Sequence, residues 1–369
     1  MTRCYVLSPP KHKYIIVLIF IMSVTITWGQ TRLNSPRLIS GEIIGKPIIT
    51  DTIYFVAKGI NDKYFQKVEA FSTLTENKYT IANNISYPQM YSILFSSDKN
   101  KRPWRNGDYF IDASTTTIKT DYLSEECTEV NGITANEYQS KFIPFMTRGM
   151  IYDCKSDYLT MLFYSNNRRA DTLLLNYIVQ NPNSYVALWK LIERFSFQGE
   201  TAIRQQALAR FSNKVKSEKL WRILNQDFKN TKIKENERFP NINLKDYSLK
   251  PTKLVFPKTK YTLIDYWFAR CRPCLDTIPE LKKLYADYKT KGFEIVSISV
   301  DETINVPIWQ KRVKEHGLVW TQYLEENNFR NNELGIKVFP TFILLDRKGT
   351  VIWKDFDLHD LDTFLKEHI

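Results

Sequence analysis

The sequence predicts a multidomain chain: a small all-β N-terminal domain, an α-helical middle region, and a C-terminal α/β domain whose central mixed sheet is flanked by helices. Three observations carry this. Short runs rich in Ile, Val, Tyr, Phe and Thr recur between residues 38 and 120, separated by Asn, Asp, Gly, Lys and Pro clusters. Through residues 135–234 the apolar period lengthens to that of a helix. From Leu254 onward strand and helix patterns alternate, as a layered α/β sheet requires. At 369 residues the chain is too long for one ordinary core, and 43% hydrophobic with 25% charged residues is an ordinary globular balance.

Residues 1–13 carry Arg3, Lys11 and Lys13, whereas residues 14–28 carry no charge. Thr27 and Gly29 place small residues at cleavage spacing ahead of Gln30. A basic start, an apolar run and a small-residue site make residues 1–29 a signal peptide, which sends the rest to the periplasm or cell envelope. The alternative is an uncleaved anchor in the inner membrane, although the run is short against the roughly 20 apolar residues of a spanning helix. Both readings export the body of the protein. Three of the +12 net charges lie in this leader, and the other cations are interspersed with acids. No basic stripe or named motif marks a nucleic-acid partner.

Residues 30–125 form the β-rich, sandwich-like domain, with strands expected at 38–44, 52–57, 67–71, 79–82, 91–95, 109–111 and 115–119. No catalytic constellation occurs there, which leaves a scaffold or recognition role. Residues 126–234 are the helical region. Leu173, Leu174, Tyr177 and Ile178 share one helical face. Asn181-Pro182-Asn183-Ser184 reads as a stop and restart, with Ser184 or Asn183 as N-cap. Val186, Leu188, Trp189, Ile192 and Phe195 continue the second helix. The Lys-, Glu- and Asn-rich stretch 231–252 reads as a linker feeding a domain of residues 235–369.

In that domain the expected order is a strand at 261–268, an amphipathic helix at 274–288, a largely apolar strand at 293–300, a helix at 306–316, a hairpin of 341–345 with 351–353, and a closing helix at 358–368. Cys271-Arg272-Pro273-Cys274 stands at the first strand-to-helix junction. A helix N-terminus presents unpaired N–H groups and positive dipole charge. A thiolate there is stabilised and nucleophilic near neutral pH. Two intervening residues let the second sulfur attack a mixed disulfide made by the first. Pro273 pre-sets the first turn. Cys271 is thus the attacking thiol and Cys274 the resolving one. A zinc site would need two further ligands, and His12, His316, His359 and His368 supply no suitable pair. No metal is expected, and no cofactor beyond the redox-active disulfide Cys271–Cys274.

Residues 236–369 resemble the thioredoxin superfamily, and more closely the exported TlpA/ResA-like thiol–disulfide oxidoreductases. The resemblance rests on Asp265-Tyr266-Trp267 leading to Cys271-Arg272-Pro273-Cys274, on Pro279 within the following helix, and on Val338-Phe339-Pro340-Thr341 in place of the loop that carries a cis proline. It implies a thioredoxin-like fold and a protein-disulfide reductase or oxidoreductase. Asp265 would be a buried acid with a raised pKa serving Cys274. Phe339, Pro340 and Thr341 would pair with an extended substrate segment, and Trp267 would pack beside the disulfide. Its partners would be exported proteins with disulfides or thiols, and a membrane electron donor. Arg270 stands where the family has Trp. With Arg272 it is expected to place two cations near Cys271 and make the disulfide more oxidising. Thr277 replaces a Glu common in cytochrome-maturation reductases, which counts against that specific role. The region in front of residue 235 resembles the extension of Bacteroidetes envelope members.

Cys127 and Cys154 lie in the exported part. They either bridge each other or remain as two free or partner-linked thiols, one of them a relay to Cys271. Two other functions stand beside the oxidoreductase. One is an envelope binding module whose cysteine pair is incidental. The other is a thiol peroxidase, against which the absence of a Pro-x-x-x-Thr-x-x-Cys pattern counts.

Overall fold

Hydrogen-bonded pairing sorts the described strands into three sheets. The computed structural model describes residues 37–44, 52–57, 60, 62–66, 70–96, 104–121, 128–148, 168–327 and 334–369. The leader, Cys127, Cys154 and part of the strand expected at 67–71 lie outside the described residues.

In the first sheet, β1 (Leu38–Ile44) pairs antiparallel with β4 (Lys78–Ala82) and parallel with β7 (Thr116–Asp121), and β8 (Glu129–Asn131) lies beyond β7. The second sheet runs in the order β3 (Ala70–Thr73), β2 (Thr52–Ala57), β5 (Gln89–Ser96), β6 (Trp104–Ile111), all antiparallel. Their inner faces meet: the Phe55 and Tyr79 rings are 6.1 Å apart. Tyr79 lies across Gly41, its register partner, where any Cβ would fall 2.1 Å from the ring.

Short helices α1 (Ile133–Glu137) and α2 (Ile143–Thr147), joined by one π turn, lead toward a helical group. That group is α3 (Arg168–Gln180), α4 (Tyr185–Gln198), α5 (Ala202–Ala209), α6 (Asn213–Lys216) and α7 (Lys219–Asn230). Ser184 is the N-cap of α4, its hydroxyl accepting from the Ala187 N–H at 2.9 Å. The strands and helices share one apolar cluster rather than two. Trp189 of α4 is fully buried, 6.0 Å from the Phe65 ring and 6.1 Å from that of Phe110. Residues 38–228 therefore bury a common core that we call the N-terminal body.

The third sheet has seven strands in the order β10 (Pro251–Lys253), β9 (Asn243–Asp246), β13 (Thr321–Leu324), β12 (Phe293–Ser299), β11 (Tyr261–Trp267), β14 (Thr341–Asp346), β15 (Val351–Lys354). The β11–β12 and β12–β13 pairs are parallel, and the rest are antiparallel. The stretch expected to be a linker is structured. Ile233, Phe239, Ile242 and Leu244 are buried, and β9 with β10 forms an edge hairpin. The strands there are three and four residues long, too short to show a period.

Both faces of this sheet are covered, and the period of two sorts the side chains. Leu263, Trp267, Ile295, Phe342 and Leu344 face a cluster with α8 (Arg272–Tyr288), α9 (Val306–Glu315) and α10 (Leu358–His368). Ile264, Tyr266, Val296, Ile298, Ile343 and Leu345 face the opposite cluster. Among the described residues no helix is long and apolar enough to cross a membrane.

Candidate functional site

β11 ends at Trp267 and α8 begins at Arg272, so Cys271 falls at the N-cap of α8. Cys271 and Cys274 form a disulfide with Cα atoms 5.2 Å apart. The Cys274 N–H donates to Cys271 Sγ at 3.1 Å, so an unpaired amide of the first helical turn is aimed at that sulfur. Pro273 occupies the first turn, where no N–H is needed. Both cysteines are buried, with exposures of 4% and 3%, whereas Arg272 and Pro273 are exposed. The helix continues through Pro279 to Tyr288.

Asp265 is two residues from both Leu263 and Trp267 along β11, which places it with them on the sheet face that packs against α8 and the cysteines. Burial pushes its carboxyl from the ordinary 3.8 up to about 7, against the opposing effect of the Ser297 hydrogen bond. Ser297 Oγ accepts the Trp320 indole N–H at 2.8 Å and donates to Asp265 Oδ2 at 2.8 Å. Trp320 belongs to no motif of the sequence. A Ser within the largely apolar, buried strand 293–299 was the available signal for this chain of bonds.

Asp301 supports the segment ahead of the cysteines. Its Oδ2 accepts the Ala269 N–H at 2.8 Å and the Ser299 hydroxyl at 2.6 Å. Burial raises its pKa. No motif in the sequence pointed to it, because it acts across 32 positions.

The expected substrate loop lies at the head of β14. The Phe339–Pro340 peptide bond is cis. Thr341 turns its hydroxyl back to the Val338 carbonyl at 2.6 Å. The Phe339 ring meets Phe268 edge-on at 5.4 Å and packs against the cluster that contains Trp267, Cys271 and Cys274. Trp267, the cysteines and Phe339 thus share one cluster.

The guanidinium groups of both arginines expected near Cys271 are engaged by other side chains. Arg272 is exposed and pairs with Asp276 one turn along, Nε to Oδ1 at 2.9 Å. Arg270 donates from Nε to Asn305 Oδ1 at 3.1 Å. Among the described residues no group of three His, Cys, Asp or Glu side chains gathers as a metal site.

A disulfide at a strand-to-helix junction, over a mixed sheet layered by helices, defines a thiol–disulfide redox enzyme. A thioredoxin-like family profile matches residues 259–351. The thiol-disulfide oxidoreductase ResA of Bacillus anthracis is 28% identical over 121 residues, which is 33% of this chain and 69% of that protein. A thiol:disulfide interchange protein from Bacteroides sp. is 30% identical across 38% of this chain and 92% of its own, with a TM-score of 0.34. The thioredoxin domain of a thiol-disulfide oxidoreductase from Bacteroides vulgatus is 29% identical across 36% of this chain and 97% of its own, with a TM-score of 0.32. The C-terminal region is thus a thioredoxin-like domain, and it is similar to the ResA/TlpA-like thiol–disulfide oxidoreductases.

Proposed function

We propose that the protein exchanges disulfides with exported proteins in the periplasm, with Cys271 attacking and Cys274 resolving. The observation that carries this reading is the Cys271 sulfur at the N-cap of α8, held under the Cys274 N–H. In the reduced enzyme that amide and the helix dipole stabilise a thiolate on Cys271. The thiolate attacks a substrate disulfide, forms a mixed disulfide and releases one substrate thiolate. Cys274 then passes its proton to Asp265 and attacks Cys271 Sγ. The second substrate thiolate leaves and takes up a proton, and the enzyme ends as the Cys271–Cys274 disulfide. A membrane electron donor restores the dithiol.

Other groups take supporting roles in this reading. The backbone at Phe339, Pro340 and Thr341 pairs with an extended substrate segment. Trp267 packs beside the sulfurs, and Arg270, Arg272 and Pro273 form the exposed rim. Residues 1–29 direct export, residues 235–369 carry the chemistry, and residues 30–234 recognise partners.

Insulin reduction tests the assignment. Wild type accelerates it, Cys271→Ser falls to background, and Cys274→Ser accumulates a mixed disulfide visible by intact mass. Equal activity in wild type and Cys271→Ser would leave only a binding module.

A further inference from the structure

One buried guanidinium bonds two residues that meet the two ends of the segment carrying Pro340. Arg204 of α5 is 1% exposed. Its Nε donates to Asp171 Oδ1 at 3.0 Å, and its Nη2 lies 2.8 Å from Asp171 Oδ2. These bonds fix the guanidinium within the N-terminal body. Its other bonds reach Asp355 beyond that body and Gly199 at the end of α4. Nη2 donates to Asp355 Oδ2 at 2.5 Å, and Nη1 to the Gly199 carbonyl at 2.9 Å.

Asp355 follows β15, and its own N–H donates to the Phe342 carbonyl at 3.3 Å. Phe342 is two residues past Pro340 and sits opposite Asp265 in the β11–β14 register. Gly199 approaches Gly335, five residues ahead of Pro340. Gly199 has φ +77°, and a Cβ there would fall 2.4 Å from the Gly335 carbonyl oxygen. Arg204 therefore holds Gly199 against one end of residues 335–342 and Asp355 against the other.

Buried ion pairs add little net stability, because desolvation offsets most of the Coulombic gain. What this one supplies is a fixed position for backbone on both sides of the loop. We infer that Arg204 is a positioning residue for the oxidoreductase: through Asp355 and Gly199 the N-terminal body sets the geometry of the Pro340 loop, and with it the affinity for polypeptide substrates. This rests on the reading above that the loop binds substrate. The N-terminal body is then part of the active enzyme and not a separate recognition module alone.

The test uses the full exported chain carrying Asp355→Asn. Asp355 has φ +61°, a left-handed conformation that Asn adopts readily, so the shape is kept while the charge opposite Arg204 is lost. Gly199→Ala is the second variant, which presses on Gly335 without removing a charge. Each is read by KM and kcat for insulin, by the midpoint potential of the cysteine pair, and by amide exchange at Thr341 and Phe342. The expected result is a KM rise of about tenfold, with faster exchange at these amides and an unmoved midpoint. An unchanged KM in either folded variant overturns the inference, as does a KM rise without faster exchange. A wild type that fails to reduce insulin overturns the functional assignment instead, and the exchange measurement still decides whether Arg204 holds the loop.

Discussion

Ser297 and Asp265 face each other across the β11–β12 register, and the Ser297 hydroxyl donates to Asp265 Oδ2 at 2.8 Å. This hydrogen bond favours the charged form of a carboxyl that is otherwise buried. Burial outweighs it, and the acid is held at about 7. It is therefore poised to take a proton near neutral pH.

Asp265→Asn should slow the step in which Cys274 resolves the mixed disulfide. General-base assistance is typically worth ~10²-fold or more. In wild type the resolving rate should rise through a limb near pH 7, as Asp265 ionises and becomes an acceptor. In the Asn variant that limb disappears. Stopped-flow oxidation of the reduced enzyme between pH 5 and 9 measures both, and a limb that survives unchanged assigns it to another group.

Ser297→Ala should move the same limb to higher pH. Losing the hydroxyl removes the bond that favours the carboxylate, so ionisation becomes harder still. The variant also leaves the buried Trp320 N–H without the acceptor it now has, at a cost of about 1–3 kcal/mol. Titrating the limb and a urea melt separate the two effects. A limb that moves to lower pH contradicts the assignment.

Stability should carry the opposite sign from that of a salt-bridged carboxylate. Asp265 titrates near its ordinary 3.8 when unfolded and near 7 when folded. Between those values the folded state binds more protons, so stability falls as pH rises through the window. Three pH units correspond to on the order of 4 kcal/mol. Asp265→Asn should recover much of that at pH 8 and little at pH 4, as urea melts at the two pH values would show. Equal gains at both would mean that burial is not the cause.

Much of this was readable beforehand because it is local. The strands 38–44 and 52–57 announce themselves as short runs rich in β-branched and aromatic residues, and the helix after Cys271 by its apolar face and Pro273. Pairing is not local. Nothing in the Leu38–Ile44 run says that it lies parallel to Thr116–Asp121. The 231–252 stretch looked like a linker because its strands are short and polar at the edge. Arg204 and Asp355, 151 positions apart, look like surface charges until the fold buries them together. The same holds for Asp301, whose role depends on where Ala269 ends up.

Arg272→Ala should leave the midpoint potential of the cysteine pair within about 15 mV of wild type. Its guanidinium is exposed, screened by water and salt-bridged to Asp276. The charge available to a thiolate on Cys271 is correspondingly small. Glutathione titration with thiol trapping gives the value. A fall of 60 mV or so in the variant would restore the view that the intervening Arg makes the disulfide oxidising.

Trp189→Ala should destabilise the strands and helices of the N-terminal body together. Trp189 is fully buried and contacts Phe65, next to the first strands, and Phe110 on β6. Phe110 in turn meets Tyr138 at 5.2 Å. Deleting so large a side chain from a packed core costs about 3–5 kcal/mol, and here the cavity would open onto sheet and helix alike. If residues 38–121 had a core of their own, the loss would fall on the helices and leave the sheets protected. With one shared core, amide exchange should accelerate in β5, β6 and α4 by the same factor. Protection retained in β5 and β6 alone would show two cores, and a protein from which the β-rich segment could be cut out and still fold.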